Sequence, residues 1–600
     1  MTLQRPLDTS CLPLWDLSDL YPAMDSPELM EDFTKLEKLS DSFLKNYKGN
    51  LSKLDAQEML DSLIQYENME EITGRIMSYA GLLNAGDIID TDISKFYQSC
   101  HEKLTQINRK TLFYTLEINR LPQEKIETWL KDSKELCRYR PWFDTIRQYR
   151  PHQLDDKLEE ILLEKSVAGR TAWVRLFDET MANLKFDYCD PDTKQKKHIG
   201  TEEALDLLSD KQDTIRKAAA ECLSATFKSN IRLFTHITNT LAKDKEIEDR
   251  WRHFDDPDSS RHLSNQLEKQ VVDALITAVK KSYPRLSHRY YKMKAKWFGK
   301  DRLDWWDRNA PLPDNDNKIY QWPEAQKTVL NALDQFSPEM AKIGRKFFDN
   351  DWIDAPIRDG KSPGAFAHPT VPSAHPYLLL NYLGKSRDVM TLAHELGHGI
   401  HQVLAGPQGT LLSDTPLTLA ETASVFGEML TFQSLLSQEQ DSNQRKLMMA
   451  AKVEDMLNTV VRQVAFYDFE TKVHAARKNG ELSADDLGAI WMAVQKESLG
   501  DAIRLDENYR DFWCYIPHFI HSPFYVYAYA FGDCLVNSLY ANYQNAPEGF
   551  QKKYIHMLRA GGSLRHKELL KPFGLDAGHP DFWETGLNMI GDLIDEIEKL

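Results

Sequence analysis

Residues 391–401 read TLAHELGHGIH. Three histidines and two glycines fall between His394 and His401. Glycine is about 1 kcal/mol less favourable than alanine inside a helix, and histidine is a mediocre helix former. Yet Leu392, Leu396 and Ile400 recur at every fourth residue, the spacing of one helix face. Propensity and periodicity disagree here, and such disagreement is expected where a sequence serves chemistry. His394, Glu395, Leu396, Gly397 and His398 spell H-E-x-x-H. On a helix, residues four apart stand one above the other on the same face. Two imidazoles so placed reach one Zn2+ at about 2.0–2.1 Å. Glu395 lies beside the first of them, where a carboxylate can accept a proton from a water that zinc has acidified to a pKa of about 7. The stretch predicts a helix carrying one zinc per chain, with His394 and His398 as ligands and Glu395 as general base.

A catalytic zinc commonly takes three protein ligands and keeps one position for water. Glycine at 401 and histidine at 404 would complete a metzincin pattern, but the chain has His401 and Leu404. A glutamate about 19 or 20 residues past the second histidine would complete a thermolysin-like or aminopeptidase-like pattern. Leu417 and Thr418 stand there. The next acids are Asp414, Glu421 and Glu428. Glu421 lies in LAETASVFGEML, a strongly helical segment, and is assigned as the third ligand. Glu428 is two helical turns further on and shares its face. It is either a partner that orients a ligand imidazole or an ordinary surface glutamate. The role of His401 stays open.

The chain has 600 residues, too many for one hydrophobic core, so several subdomains or one large helical body with lobes are expected. Hydrophobic residues make up 42% and charged residues 28%, a folding composition rather than a disordered one. A formal net charge of −17 argues against nucleic acid, whose phosphates need a basic surface. Seven scattered cysteines with no CxxC pair suit reduced thiols in a cytoplasm. The N-terminal MTLQRPLDTSCLPLWDL has no apolar run after its basic start, and nowhere do 18 apolar residues run together. Neither a signal peptide nor a membrane span is expected. The expectation is a cytoplasmic monomer or weak oligomer with no nucleic-acid or membrane partner.

Leucine and aromatic stripes from about residue 26 predict helices broken by short turns, the first opening on Ser26 and Pro27 and the second ending at Gly86. KFDYCDPDTKQKKHIG (185–200) reads as a hairpin or exposed loop, after which Thr201 is expected to cap a new helix with Glu202 and Glu203 in its first turn. A boundary falls near 195, dividing an N-terminal helical region (1–195) from a catalytic region (196–600). DRLDWWDRNAPLPDNDNK (301–318) is a Pro- and Asp-rich connection, and 359–376 is irregular. YLLLNY (377–382), bounded by Pro376 and Gly384, is the best strand candidate. The chain reads as mainly α with a small β element near its middle.

HELGHGIHQ, followed 23 residues after His398 by ETASVFGEML, resembles the oligoendopeptidase F branch of the thimet oligopeptidase-like zinc metallopeptidases. WDLSDLYPAMDSPEL (15–29), HPYLLLNYLGKSRDVMTLAHELGH (375–398) and PHFIHSPFYVYAYAFG (517–532) extend the resemblance over about residues 15–590. It implies a two-lobed helical body with a deep central substrate channel and a small β element beside the metal helix. The implied activity is zinc-dependent endopeptidase cleavage of internal bonds in short unstructured oligopeptides, folded proteins being excluded by access. Carried over, His394, His398 and Glu421 bind zinc and Glu395 is the base. The strand YLLLNY would offer its edge to a substrate backbone, although its pattern alone reads as core. Amide hydrolysis builds an oxyanion that needs placed donors, and the resemblance assigns that task to His518, Tyr525 and Tyr529. Tyr525 and Tyr529 are four apart and predicted to share a helix face. Tyr527 is their rival, and tyrosines packed in a core are the alternative. This branch departs from the thimet-like Gly-rich pattern between the histidine and the tyrosines, which leaves the spacing from His518 open. Two other functions remain in view. One is a metallocarboxypeptidase on a similar helical scaffold, which needs a cation to dock the substrate's terminal carboxylate. The other is a non-catalytic peptide-binding protein that keeps a relict metal helix.

Overall fold

A computed structural model of the chain describes residues 7–312, 318–546 and 548–600. The first six residues of the N-terminal stretch and residues 313–317 of the Pro- and Asp-rich connection lie outside the described residues. The cap expected at Thr201 is not formed: Thr201 is already the first residue of helix Thr201–Asp206, and Gly200 precedes it without a side-chain cap. The Thr201 hydroxyl donates instead to the Met181 carbonyl at 3.0 Å. The helix start read at Ser26 and Pro27 is built as expected. Ser26 Oγ accepts the Leu29 N–H, Pro27 sits in the first turn of helix Pro27–Tyr47, and Leu29, Leu36 and Phe43 bury one face of it. Asp55 and Glu58 form a reciprocal capping box at the start of helix Ala56–Gly86. Among the described residues helices carry the fold, and the strands form three small sheets.

The chain divides into two compact units, each drawn from three stretches. The first comprises Met1–Arg150, Asn317–Gln438 and Asn542–Leu575, and the second Pro151–Asp316, Glu439–Ala541 and Asp576–Leu600. The units do not follow a single cut into 1–195 and 196–600. Residue 195 falls in the turn of an antiparallel hairpin, Phe186–Cys189 with Lys196–Ile199, so a cut there would divide a paired ladder. Phe186 and Ile199 bury the inner face of that hairpin, and the Phe186 ring packs edge-on to Phe227 at 5.7 Å.

The core of the first unit joins Leu29, Leu36 and Phe43 to Met59, Ile76, Tyr114 and Trp129. Fully burying side chains of this size contributes about 1.5–3 kcal/mol each. Tyr377 belongs to the same core. Its hydroxyl donates to the Asp16 carbonyl at 2.8 Å, and its ring meets Trp15 edge-on. Tyr377 opens the strand expected at YLLLNY. That strand is β3 (Tyr377–Leu379), and it lies in a sheet with β1 (Ile353–Asp354) and β2 (Phe366–His368) in the order β1-β3-β2. β3 pairs in parallel with β1 and antiparallel with β2. This corrects the expectation for YLLLNY: both its edges are used, all three strand residues are fully buried, and it has no edge to offer. The sheet's open edge on that side belongs to Phe366–His368.

Two helices of this unit carry the H-E-x-x-H stretch and its downstream glutamates. They are α1 (Ser386–Ala405) and α2 (Leu417–Gln438), packed against each other along their lengths. Asp388 starts α1 by accepting the N–H groups of Leu383 and Lys385 at 2.9 and 3.0 Å, and its charge suits the helix N-terminus. Val389, Leu392, Leu396 and Ile400 are fully buried, so the apolar stripe read from the sequence is the face that anchors α1.

Candidate metal centre

α1 sets His394 and His398 one turn apart, with ring centroids 5.0 Å apart and planes at 79°. Glu421 on α2 reaches both: its Oε2 is 3.4 Å from His394 Nε2 and 3.5 Å from His398 Nε2. One ligand atom from each of the three residues lies within 4.8 Å of the others. Ser424 Oγ donates to the same Glu421 oxygen at 2.6 Å. Glu428 Oε2 lies 3.3 Å from His394 Nδ1. Two turns of α2 therefore bracket one imidazole, with a carboxylate at each ring nitrogen. Glu428 is a partner of His394, and the surface alternative falls.

Gly397 explains how the two helices come close enough for this, while Gly399 lets α1 pack on the Phe347 ring of helix Pro338–Asp349. A Cβ at Gly397 would stand 2.4 Å from the Ala423 carbonyl oxygen and 2.7 Å from Ser424 Cα. A Cβ at Gly399 would stand 2.6 Å from Phe347 Cζ. Backbone, unlike the tip of a flexible side chain, cannot swing aside. Gly397→Ala is expected to push α2 away and carry Glu421 with it. Zinc affinity should fall by about 10–100-fold, the range seen when ligand orientation is disturbed, while helical circular dichroism is retained. Competition against a chromophoric chelator measures this. Unchanged affinity would show that the close crossing is not what sets the ligands.

Three carboxylates, Glu395, Glu421 and Glu428, surround two largely buried imidazoles. Burial works to lower the His394 pKa, but the hydrogen bond to Glu428 and the charges of Glu421 and Glu395 overcome it and bring it up to about 9. The site thus draws positive charge strongly. His398 goes the other way, down to about 4, held neutral by burial and by the His394 charge against the pull of Glu421. Its ring also hydrogen-bonds the Ala420 backbone. Glu395 is 7% exposed, and burial pushes its carboxyl up to about 7. The His394 charge and a hydrogen bond from the Ala367 backbone on β2 act against that rise, and Glu421 adds to it. A carboxyl poised near neutrality suits a group that takes and returns a proton.

His401, left open by the sequence, is buried two turns along α1 from His394. Burial, then the His398 charge, brings its pKa down to about 4. Its ring hydrogen-bonds the Ala420 and Leu558 backbones, and Nε2 lies 3.4 Å from Thr415 Oγ1. It is a neutral core histidine that ties the approach to α2 onto α1. Asp414 is outside the group of convergent ligand atoms, and its backbone packs against Gly562.

His518, Tyr525 and Tyr529 lie in the second unit and meet one another there. His518 Nε2 is 3.4 Å from Tyr529 Oη, and the Tyr525 and Tyr529 rings are 5.2 Å apart at 77°. Their backbone differs from the expectation of one helix face. Helix Tyr527–Asn545 begins only after Tyr525, which stands on the turn leading into it. Tyr527 is no rival. It is fully buried, and its hydroxyl accepts from Asn265 Nδ2 at 2.8 Å and lies 3.1 Å from His262 Nδ1. The Ala367 contact to Glu395 and the Asn265 and His262 partners of Tyr527 carried no signal in the sequence, because each joins segments distant along the chain.

A sequence profile of Peptidase family M3 matches residues 207–589, and one of Oligopeptidase F matches residues 117–186. Oligopeptidase PepF of Bacillus subtilis is 26% identical over 593 residues, covering 98% of this chain and 87% of its own. The oligoendopeptidase F homolog of Borreliella burgdorferi is 28% identical over 592 residues, covering 98% of each. The crystal structure of oligoendopeptidase-F from Enterococcus faecium superimposes with a TM-score of 0.72 at 21% identity, covering 95% of this chain and 98% of that one. The last likeness concerns the helical fold alone.

Proposed function

The chain belongs to peptidase family M3, and from that premise we propose that it is a zinc-dependent endopeptidase hydrolysing internal bonds of short, unstructured oligopeptides. The observation that carries the reading is the meeting of His394 Nε2, His398 Nε2 and a Glu421 oxygen within 4.8 Å. Two imidazoles and a carboxylate are the donor set of many catalytic zinc sites, and the surplus of carboxylates around them favours a cation. His394, His398 and Glu421 would hold it. When bound, zinc polarises a peptide carbonyl and makes water a nucleophile at neutral pH.

The remaining chemistry belongs to the chain's own side chains. Glu395 accepts the proton of the attacking water and returns it to the leaving amine. The Ala367 hydrogen bond keeps its carboxylate in place. Glu428 holds the Nδ1 proton of His394 and leaves the Nε2 lone pair for the ligand position. His518, Tyr525 and Tyr529 are the proposed donors to the substrate's developing oxyanion; their support is the gathering of one imidazole and two phenols in the second unit. The open edge at Phe366–His368, rather than YLLLNY, is the proposed partner of a substrate backbone, since that same strand contacts Glu395 through the Ala367 backbone. Among the described residues no helix is long and apolar enough to cross a membrane. A cytoplasmic setting is supported by seven thiols that all stand free, and oligopeptides are the partners expected there.

A peptide blocked at both termini tests the endopeptidase reading against the carboxypeptidase one. Internal cleavage of that peptide, seen by mass spectrometry, is the expected result. Cleavage that requires a free terminal carboxylate would replace the proposal with its alternative, and no cleavage with zinc bound would favour a peptide-binding protein.

A further inference from the structure

Ser522, Pro523, Phe524 and Tyr525 form a tight turn, closed by the Tyr525 N–H donating to the Ser522 carbonyl at 3.1 Å. Phe524, its third residue, has φ +59°. Proline second and a positive φ third is the pattern of a type II turn, whose third position favours glycine. Here that position holds a phenylalanine whose ring is fully buried against Tyr467 and His474. A left-handed bulky residue persists only where its surroundings over-determine it. The next residue is Tyr525.

The surroundings are specific. Glu470, on helix Val461–Arg477, is 2% exposed, and its Oε1 accepts the Phe524 N–H at 2.8 Å. Arg261 Nε donates to the Pro523 carbonyl at 3.2 Å, and its guanidinium lies 5.6 Å from the centre of the Tyr525 ring. Arg170 Nη2 donates to the Ile520 and His521 carbonyls at 3.1 and 2.8 Å. Beyond the turn, the Tyr527 hydroxyl is fixed by Asn265 and His262. The segment between His518 and Tyr529 is thus held at Ile520, His521, Pro523, Phe524 and Tyr527 by side chains that carry no reacting role. A buried carboxyl is the costliest of these ties, and the sequence motif offers no use for it.

We propose that Glu470 is a positioning residue: by accepting the Phe524 N–H it holds the Ser522–Tyr525 turn in the form that sets Tyr525 beside Tyr529 and His518. The inference rests on the reading of those three residues as oxyanion donors. Glu470 Oε2 is buried with no hydrogen-bond partner among the described residues, so the Phe524 contact is the one that substitution removes. Burial pushes the Glu470 carboxyl up to about 8, against the Phe524 hydrogen bond and the charges of Arg261 and Lys245. A neutral amide of the same shape therefore replaces it well.

The test uses the zinc-loaded full chain and an internally quenched peptide. Glu470→Met removes the acceptor at similar volume. It is expected to lower kcat by about tenfold or more, as a small misplacement of reacting groups does, with KM and zinc content unchanged. Glu470→Asp draws the acceptor back by one methylene and should behave alike, which keeps the question open to measurement where the Met variant does not fold. Glu470→Gln keeps an acceptor and should retain the wild-type kcat. Combined with Tyr525→Phe, Glu470→Met should cost less than the product of the two single losses, because both act through one group. Wild-type kcat in the Met and Asp variants, while Tyr525→Phe and Tyr529→Phe are impaired, would overturn the role of Glu470 alone. Equal losses in the Gln and Met variants would overturn it too. Wild-type kcat in both tyrosine variants would overturn the oxyanion reading and this inference with it.

Discussion

Glu395→Gln is expected to keep its zinc and to lose about 10³-fold or more in kcat, within the range attributed to a positioned general base. The amide has the shape of the carboxyl and still offers an oxygen to the Ala367 backbone, so the strand contact at this residue survives. What disappears is the ability to take a proton. The environment of Glu395 makes the loss specific: its carboxyl is buried, raised to about 7, and beside His394 rather than among the three convergent ligand atoms. Zinc content by inductively coupled plasma spectrometry, together with turnover of a quenched peptide, checks both halves of the expectation. A variant that cleaves at the wild-type rate would remove Glu395 from the mechanism.

Glu421→Ala is expected to act on the metal first. It takes away the oxygen toward which both Nε2 atoms point, at 3.4 and 3.5 Å, and leaves two imidazoles on α1. Zinc affinity should fall by more than about 100-fold, since loss of a ligand exceeds the 10–100-fold effect of losing a residue that merely orients one. Activity at one equivalent of zinc should vanish with it. Glu428 cannot take over from its present place, because it faces the other nitrogen of His394. Full affinity in this variant would mean that another acid completes the site.

The H-E-x-x-H helix was legible because its signal is local. The four-residue stripe Leu392, Leu396 and Ile400 and the pair His394 and His398 follow from helix geometry alone, and the structure buries the first set and aims the second at Glu421. The spacing of Glu421 and Glu428 fixed their common face, yet not that one imidazole would lie between them. That depends on how closely α2 crosses α1, which Gly397 permits. YLLLNY was recognisable as a strand from its apolar run, but strand order is not written in a run. Only the partners Ile353–Asp354 and Phe366–His368, distant in sequence, make it central. The interleaving of the two packed units was not legible for a related reason: composition along the chain does not show which distant stretches pack together. Glu470 had no sequence signal at all, because its partner is a backbone N–H in a turn 54 residues away.

Titrating zinc into chelator-treated protein while following internal cleavage of a peptide blocked at both ends tests the central claim most directly. Activity should be absent without metal, rise linearly, and level off at one zinc per chain. Full activity in the metal-free protein, or none after one equivalent has bound, would contradict it.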